Sequence, residues 1–188
     1  MKTTKIIVCG MAVLTAAVLG GCQGNKSKGQ TPDIVEDTTA MADSTVYGVC
    51  GDGCTMSTLQ LITDKGDTID CILESPDGGS AVEVQGGIGV GDRVGATLQT
   101  DADGNHYALT AINITSLTGK WSSLDNTFQL HADGSVTSSM KEPKPYTHWS
   151  LVNGRLVLSA DTFDITVLGH DSLCLKGGQG AVGYRRLK

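Results

Sequence analysis

Trp149-Ser150-Leu151-Val152-Asn153-Gly154-Arg155-Leu156-Val157-Leu158 is the stretch that decides the fold class. It has the form of two strands meeting at Asn153-Gly154, and Asn-Gly is the preferred centre of a type I′ hairpin because both central residues must take positive φ. The turn fixes the register. Leu151 opposes Leu156 and Trp149 opposes Leu158 on one face, while Val152 meets Arg155 on the other. One face is then wholly apolar and needs a core to lie against.

The same period of two continues outward from this hairpin. Phe163, Ile165 and Val167 alternate with polar residues, and a turn at Gly169-His170-Asp171 sets Val167 against Leu173 and Ile165 against Leu175, with Cys174 pointing away. Upstream, Leu59-Gln60-Leu61-Ile62-Thr63 meets Thr68-Ile69-Asp70-Cys71-Ile72-Leu73. A three-residue loop, Asp64-Lys65-Gly66, pairs Leu61 with Ile69 and Leu59 with Cys71, whereas a two-residue loop would place Gln60 on the buried side. Ala96–Thr100 and Tyr107–Ile114 flank a further turn at Asp101–Asn105. No 3.6-residue apolar period persists beyond residue 46, so the ordered chain is predicted to be all-β. Glycine is abundant at 25 of 188 residues and aromatics make up only 4%, which suits many tight turns around a small aliphatic core.

At the other end of the chain, Lys2 and Lys5 precede an apolar run from Ile6 to Leu19 that closes in Gly20-Gly21-Cys22. A charged start, a short apolar core and small residues before the cleavage point read as a secretory signal over residues 1–21. The run is shorter than the ~20 residues of a spanning helix. Cys22 directly after the small pair resembles a bacterial lipobox, which implies that Cys22 becomes an acylated N-terminus. Residues 22–45 are polar and low in complexity and read as a flexible, disordered tether. The folded part then divides into a domain over 46–115 and another over 116–188. The formal charge of −6 opposes nucleic-acid binding, which relies on Lys and Arg neutralising phosphates. It equally opposes electrostatic adhesion to anionic lipid, so membrane attachment falls to the N-terminal lipid.

Tyr47 to Ile114, through Thr55-Met56-Ser57-Thr58-Leu59 and Val90-Gly91-Asp92-Arg93-Val94, resembles the small OB-like β-barrel of some Gram-negative envelope lipoproteins. Leu117 to Lys188 resembles the compact lipocalin-like (calycin-type) domain of the same lipoproteins. That second resemblance rests on Gly119-Lys120-Trp121, Phe128-Gln129-Leu130-His131-Ala132-Asp133-Gly134, Tyr146-Thr147-His148-Trp149 and Asp171-Ser172-Leu173. Together they imply two small antiparallel barrel-like domains. They also imply that Trp121 closes a barrel base beneath an arginine of the final strand, Arg185 or Arg186. No acidic run follows Cys22 that could act as a surface-export signal, so the expected location is the periplasmic face of the outer membrane.

Cys50-Gly51-Asp52-Gly53-Cys54 is the one cysteine cluster. On an extended strand its cysteines would lie ~13 Å apart, beyond the about 4.4–6.8 Å between Cα atoms of a disulfide, unless the glycines fold the segment back. A disulfide, unpaired thiols and soft-metal ligation all stay open for Cys50 and Cys54. Paired cysteines before the Thr58-Leu59-Gln60-Leu61 strand also resemble those of copper-linked envelope-stress lipoproteins, which implies metal or redox sensing as an alternative function. Cys71, on an apolar face, reads as a buried thiol.

Other motifs reduce to turns. The glycine-rich run from Gly86 to Gly91 leads into a strand, not the helix N-terminus that would hold phosphate, and Asp101-Ala102-Asp103-Gly104-Asn105 continues to His106 and Ile112 where an EF-hand needs Gly and Glu. His106, His131, His148 and His170 fall near turns or strand ends, with no Ser-His-Asp arrangement, so a hydrolase is the third-ranked reading and no cofactor is expected. Phe128, Tyr146 and Trp149 are the candidates to line a small apolar pocket, with plain core packing as the alternative. The expected function is non-enzymatic binding of a small apolar ligand or a partner protein by a lipid-anchored envelope protein.

Overall fold

β-Strands occupy the chain almost throughout, as its period-two patterning dictates. A computed structural model describes residues 42–79, 82, 84–139 and 144–188. The signal segment, Cys22 and the tether up to residue 41 lie outside the described residues. The first sheet contains β1 (Thr45–Cys50), β2 (Thr58–Thr63), β3 (Thr68–Ile72), β4 (Val84–Gln85), β5 (Arg93–Thr100) and β6 (His106–Asn113). Its order is β3-β2-β1-β5-β6-β4, and β3 also pairs with β6. Five strands therefore close into a barrel, and β4 pairs with the far end of β6 on the edge that β3 occupies at its start.

The closing pair runs parallel, Cys71 beside His106 and Ile72 beside Tyr107, and β4 is parallel to β6 as well. This corrects the expectation of antiparallel pairing throughout. Parallel neighbours need a crossover of a dozen or more residues, and the long connection from Leu73 to Asp92 brings β5 back across β1 so that β6 arrives beside β3. The β2–β3 hairpin has the register given by the three-residue loop, Leu61 with Ile69 and Leu59 with Cys71.

A single turn of helix, α1 (Ile114–Leu117), follows β6, capped by the Asn113 side chain accepting from the Ser116 amide at 2.9 Å. The second sheet then contains β7 (Gly119–Ser122), β8 (Thr127–Leu130), β9 (Val136–Ser138), β10 (Trp149–Val152), β11 (Arg155–Leu158), β12 (Asp161–Leu168), β13 (Ser172–Gly177) and β14 (Gly180–Leu187). Every consecutive pair of these strands is hydrogen-bonded except β9 and β10, and β14 returns to β7. This is an up-and-down barrel whose remaining seam, between β9 and β10, carries among the described residues only a bridge from Ser135 to His148. The Ser138 hydroxyl substitutes for ladder bonds there, accepting from Tyr146 N at 2.9 Å and donating to Tyr146 O at 3.1 Å.

The β10–β11 hairpin has the predicted register, Trp149 with Leu158 through Val152 with Arg155, and both turn residues take positive φ, 49° at Asn153 and 77° at Gly154. Between β12 and β13 the expected register holds at Ile165 and Leu175 but fails one step on. A bulge at Thr166 pairs Val167 with Cys174 and Leu168 with Leu173. Leu168 takes the inward place and Val167 turns outward, 47% exposed, because an inserted residue reverses the facing of everything beyond it.

Two cores result. Cys50, Leu59, Leu61, Cys71, Val94 and three alanines fill the first barrel; Trp121, Phe128, Trp149, Tyr184 and a run of leucines fill the second. Ile112 and Ile114 belong to the second core, with Tyr47 packed against it, and residues 40–188 form one compact unit. The Tyr47 hydroxyl locks the join, donating to the Leu151 carbonyl at 2.9 Å and accepting from the Leu151 amide at 3.0 Å. Asn153 adds a second tie, its Oδ1 accepting from Ser44 N at 2.9 Å.

Candidate functional site

Strand alternation divides each strand of the second barrel into inward and outward residues. On β14 the inward column is Val182, Tyr184 and Arg186, and on β12 it starts with Asp161, Phe163 and Ile165. The end of the barrel nearest α1 is plugged. Trp121 is fully buried there, and the Arg186 guanidinium lies over its ring, 4.2 Å from the centroid. Trp121 Nε1 donates to Leu117 O at 2.8 Å. Arg186 donates to the carbonyls of Thr118 and His170, at 2.8 and 2.6 Å, and also to that of Ser116. Burial lowers the Arg186 pKa, with Asp171 opposing it. Gly119 sits at positive φ, and a Cβ there would strike the Arg186 guanidinium, so the plug itself requires glycine two residues before Trp121.

Above the plug the barrel is packed by Trp121, Phe128, Leu130, Leu156, Leu158 and Leu173, all nearly inaccessible. The packing runs out at the opposite end, where the β11–β12 and β13–β14 turns border an open cleft of about 540 Å³. Tyr146, Phe163 and Tyr184 form its walls, Gly177, Gly178 and Gly180 contribute backbone without bulk, and Asp161, Thr162 and Gln179 supply polar groups. Phe163 lies against Gly177, where any Cβ would sit 2.9 Å from two ring carbons. Tyr146 and Phe163 meet edge to face with centroids 6.4 Å apart, and Phe128 braces Tyr146 and Tyr184 from within at 5.9 and 5.1 Å.

The three aromatic candidates from the sequence are therefore separated. Tyr146 lines the cleft and Phe128 is buried behind it. Trp149 lies elsewhere, its Nε1 donating to His131 O at 2.8 Å, beside a groove of about 280 Å³ that also touches Tyr47, Asp64 and Arg93. Phe163, which the sequence marks only as part of an alternating run, and Tyr184 complete the walls, each standing in a period-two column that leads to a barrel end.

In the first barrel Cys50 and Cys54 are joined by a disulfide with Cα atoms 6.5 Å apart. Gly51 and Gly53 fold the segment back onto Gln60, Gly51 N donating to Gln60 O at 2.9 Å and Gly53 N to Gln60 Oε1 at 3.0 Å. Cys71 is a free, buried thiol, its pKa pushed up to about 11 by burial and, to a lesser extent, by Asp70. Among the described residues no three His, Cys, Asp or Glu side chains gather as a metal site. His106, His131 and His148 meet threonine hydroxyls at 2.9, 2.9 and 3.2 Å.

No protein-family model, curated protein or solved structure matches this chain.

Proposed function

We propose that this chain is a lipid-anchored cell-envelope protein that binds a small ligand without catalysing a reaction, held by acylated Cys22 at the periplasmic face of the outer membrane. The observation that carries the binding is the cleft of about 540 Å³ at the open end of the second barrel, within the roughly 300–1,000 Å³ of small-molecule sites. Its aromatic walls and glycine-rich edge suit a ligand with an apolar face. Because the interior is packed, the ligand lies across the barrel mouth and not inside it. The OB-like and lipocalin-like resemblances gain support from the five-stranded ring and from Arg186 stacked on Trp121, the pairing that the Gly-x-Trp motif implies.

The test uses residues 40–188 and N-phenyl-1-naphthylamine, whose fluorescence rises on entering an apolar site. Saturable enhancement that falls at least about tenfold in affinity in Phe163→Ser supports the reading. Absence of enhancement, or enhancement indifferent to Phe163, refutes it.

The Cys50–Cys54 disulfide favours a second reading, redox sensing through that pair. It requires the pair to cycle between thiol and disulfide in the envelope. Alkylation trapping that finds both cysteines oxidised under every growth condition would remove it.

A further inference from the structure

We propose that the mouth cleft takes a small, free organic cation: an ammonium group with an apolar skirt. This rests on the reading of the cleft as the binding site and names the chemistry of its occupant. On β12, Asp161 and Phe163 share the inward face, so a carboxylate stands at the mouth one inward position above an aromatic wall. Asp161 takes part in neither ion pair found among the described residues, which are Arg93–Asp64 and Arg155–Asp164. No Lys, Arg or His is among the described residues lining the cleft. The ring planes of Tyr146 and Phe163 stand 83° apart, forming two walls of a corner.

Ring faces are negative, and a cation within about 6 Å of a ring centroid is attracted to them, most strongly when the site also excludes water. An anionic ligand meets Asp161 and a chain of net charge −6, both repulsive. A wholly apolar ligand would cover Asp161 without giving its charge a partner, which is unfavourable. An alkylammonium satisfies both groups at once, its charge toward Asp161 and its methyl or methylene surface against Phe163, Tyr146 and Val182.

The experiment is calorimetric titration of the full chain in a nonionic detergent with choline, and in parallel with 3,3-dimethylbutan-1-ol, the uncharged carbon isostere. Choline should bind saturably, more weakly as salt is raised, and at least about tenfold more tightly than the isostere. Asp161→Asn, an exposed and isosteric change, should weaken choline about two- to fivefold and reduce the salt dependence. Val167→Ser, on the outer face, should leave it unchanged. Equal binding of choline and its isostere, or choline binding indifferent to Asp161→Asn, overturns the proposal. A response to phosphatidylcholine vesicles with none to free choline also overturns it, in favour of a lipid headgroup. If neither small molecule binds while N-phenyl-1-naphthylamine still does, the cation inference falls and the cleft remains a ligand site. Failure of all three probes removes both.

Discussion

The five-stranded barrel buries Leu59 and Leu61 among alanines, cysteines and Val94, whereas the eight-stranded barrel buries two tryptophans, Phe128, Tyr184 and eight leucines. Barrel diameter grows with strand number, so the smaller ring has no room for large side chains. It gains a covalent staple at Cys50–Cys54 instead. The larger ring can accept aromatics, and because they fill it only from the plugged end upward, it has space left at its mouth. Strand count thus decides both how each half is stabilised and which half can hold a ligand.

The largest expected effect probes the aromatic core. Trp121→Ala should cost about 3–5 kcal/mol, read by denaturant unfolding. Amide protection at Leu59 and Leu61 should disappear in the same transition, since Ile112 of β6 and Ile114 of α1 pack in the second core. Protection that outlasts the second barrel would show the halves to be independent. A loss under about 1 kcal/mol would place Trp121 outside the supporting core.

Next comes the staple. Replacing Cys50 and Cys54 by serine should cost about 2 kcal/mol, the chain-entropy value for so short a loop, while the tyrosine ring signals of the mouth keep their native shifts. Perturbed rings at Tyr146 or Tyr184 would mean that the first barrel shapes the second. Tyr47→Phe is expected to cost roughly 1–2 kcal/mol, because the hydroxyl both gives and takes a bond with Leu151; an unchanged midpoint would mean that water replaces it.

The smallest effect is electrostatic. Hydrogen bonding to Arg93 holds the Asp64 carboxyl below the usual carboxylate range, opposed by desolvation and aided by the Arg93 charge. The pair therefore stabilises fully above about pH 4 and loses its contribution as pH falls through the lowered folded-state value. Both side chains are well exposed, so the loss should stay below about 1 kcal/mol. Arg93→Gln should flatten that part of the acid profile, and an unaltered profile would assign the slope to other carboxylates.

Much of this architecture was legible because turns and alternation are local. Asn153-Gly154 and the Asp64–Gly66 loop each dictated a register that the structure shows residue for residue. What was hidden depends on distant segments. Nothing near Cys71 announces that β6 will lie parallel to it, and the bulge at Thr166 leaves no mark in a run that alternates cleanly through Val167. The four-residue helix was missed because it is too short for periodicity, although Asn113 is a favoured cap residue. The cleft was half visible. Tyr146 was singled out for being aromatic, but Asp161, Phe163 and the Gly177–Gly180 edge join it only once β12 and β14 flank β13.

The seam where Ser138 substitutes for ladder bonds has a kinetic consequence. Apart from that hydroxyl, only the amides of Val136 and Trp149 cross it as main-chain donors among the described residues, to Thr147 and Gly134, so breaking few bonds there would unroll the cylinder into an open sheet. Hydrogen exchange at Val136 and Trp149 should therefore outpace that of Leu173 and Leu175 on the continuous β12–β13–β14 wall, marking the line along which this half first unzips.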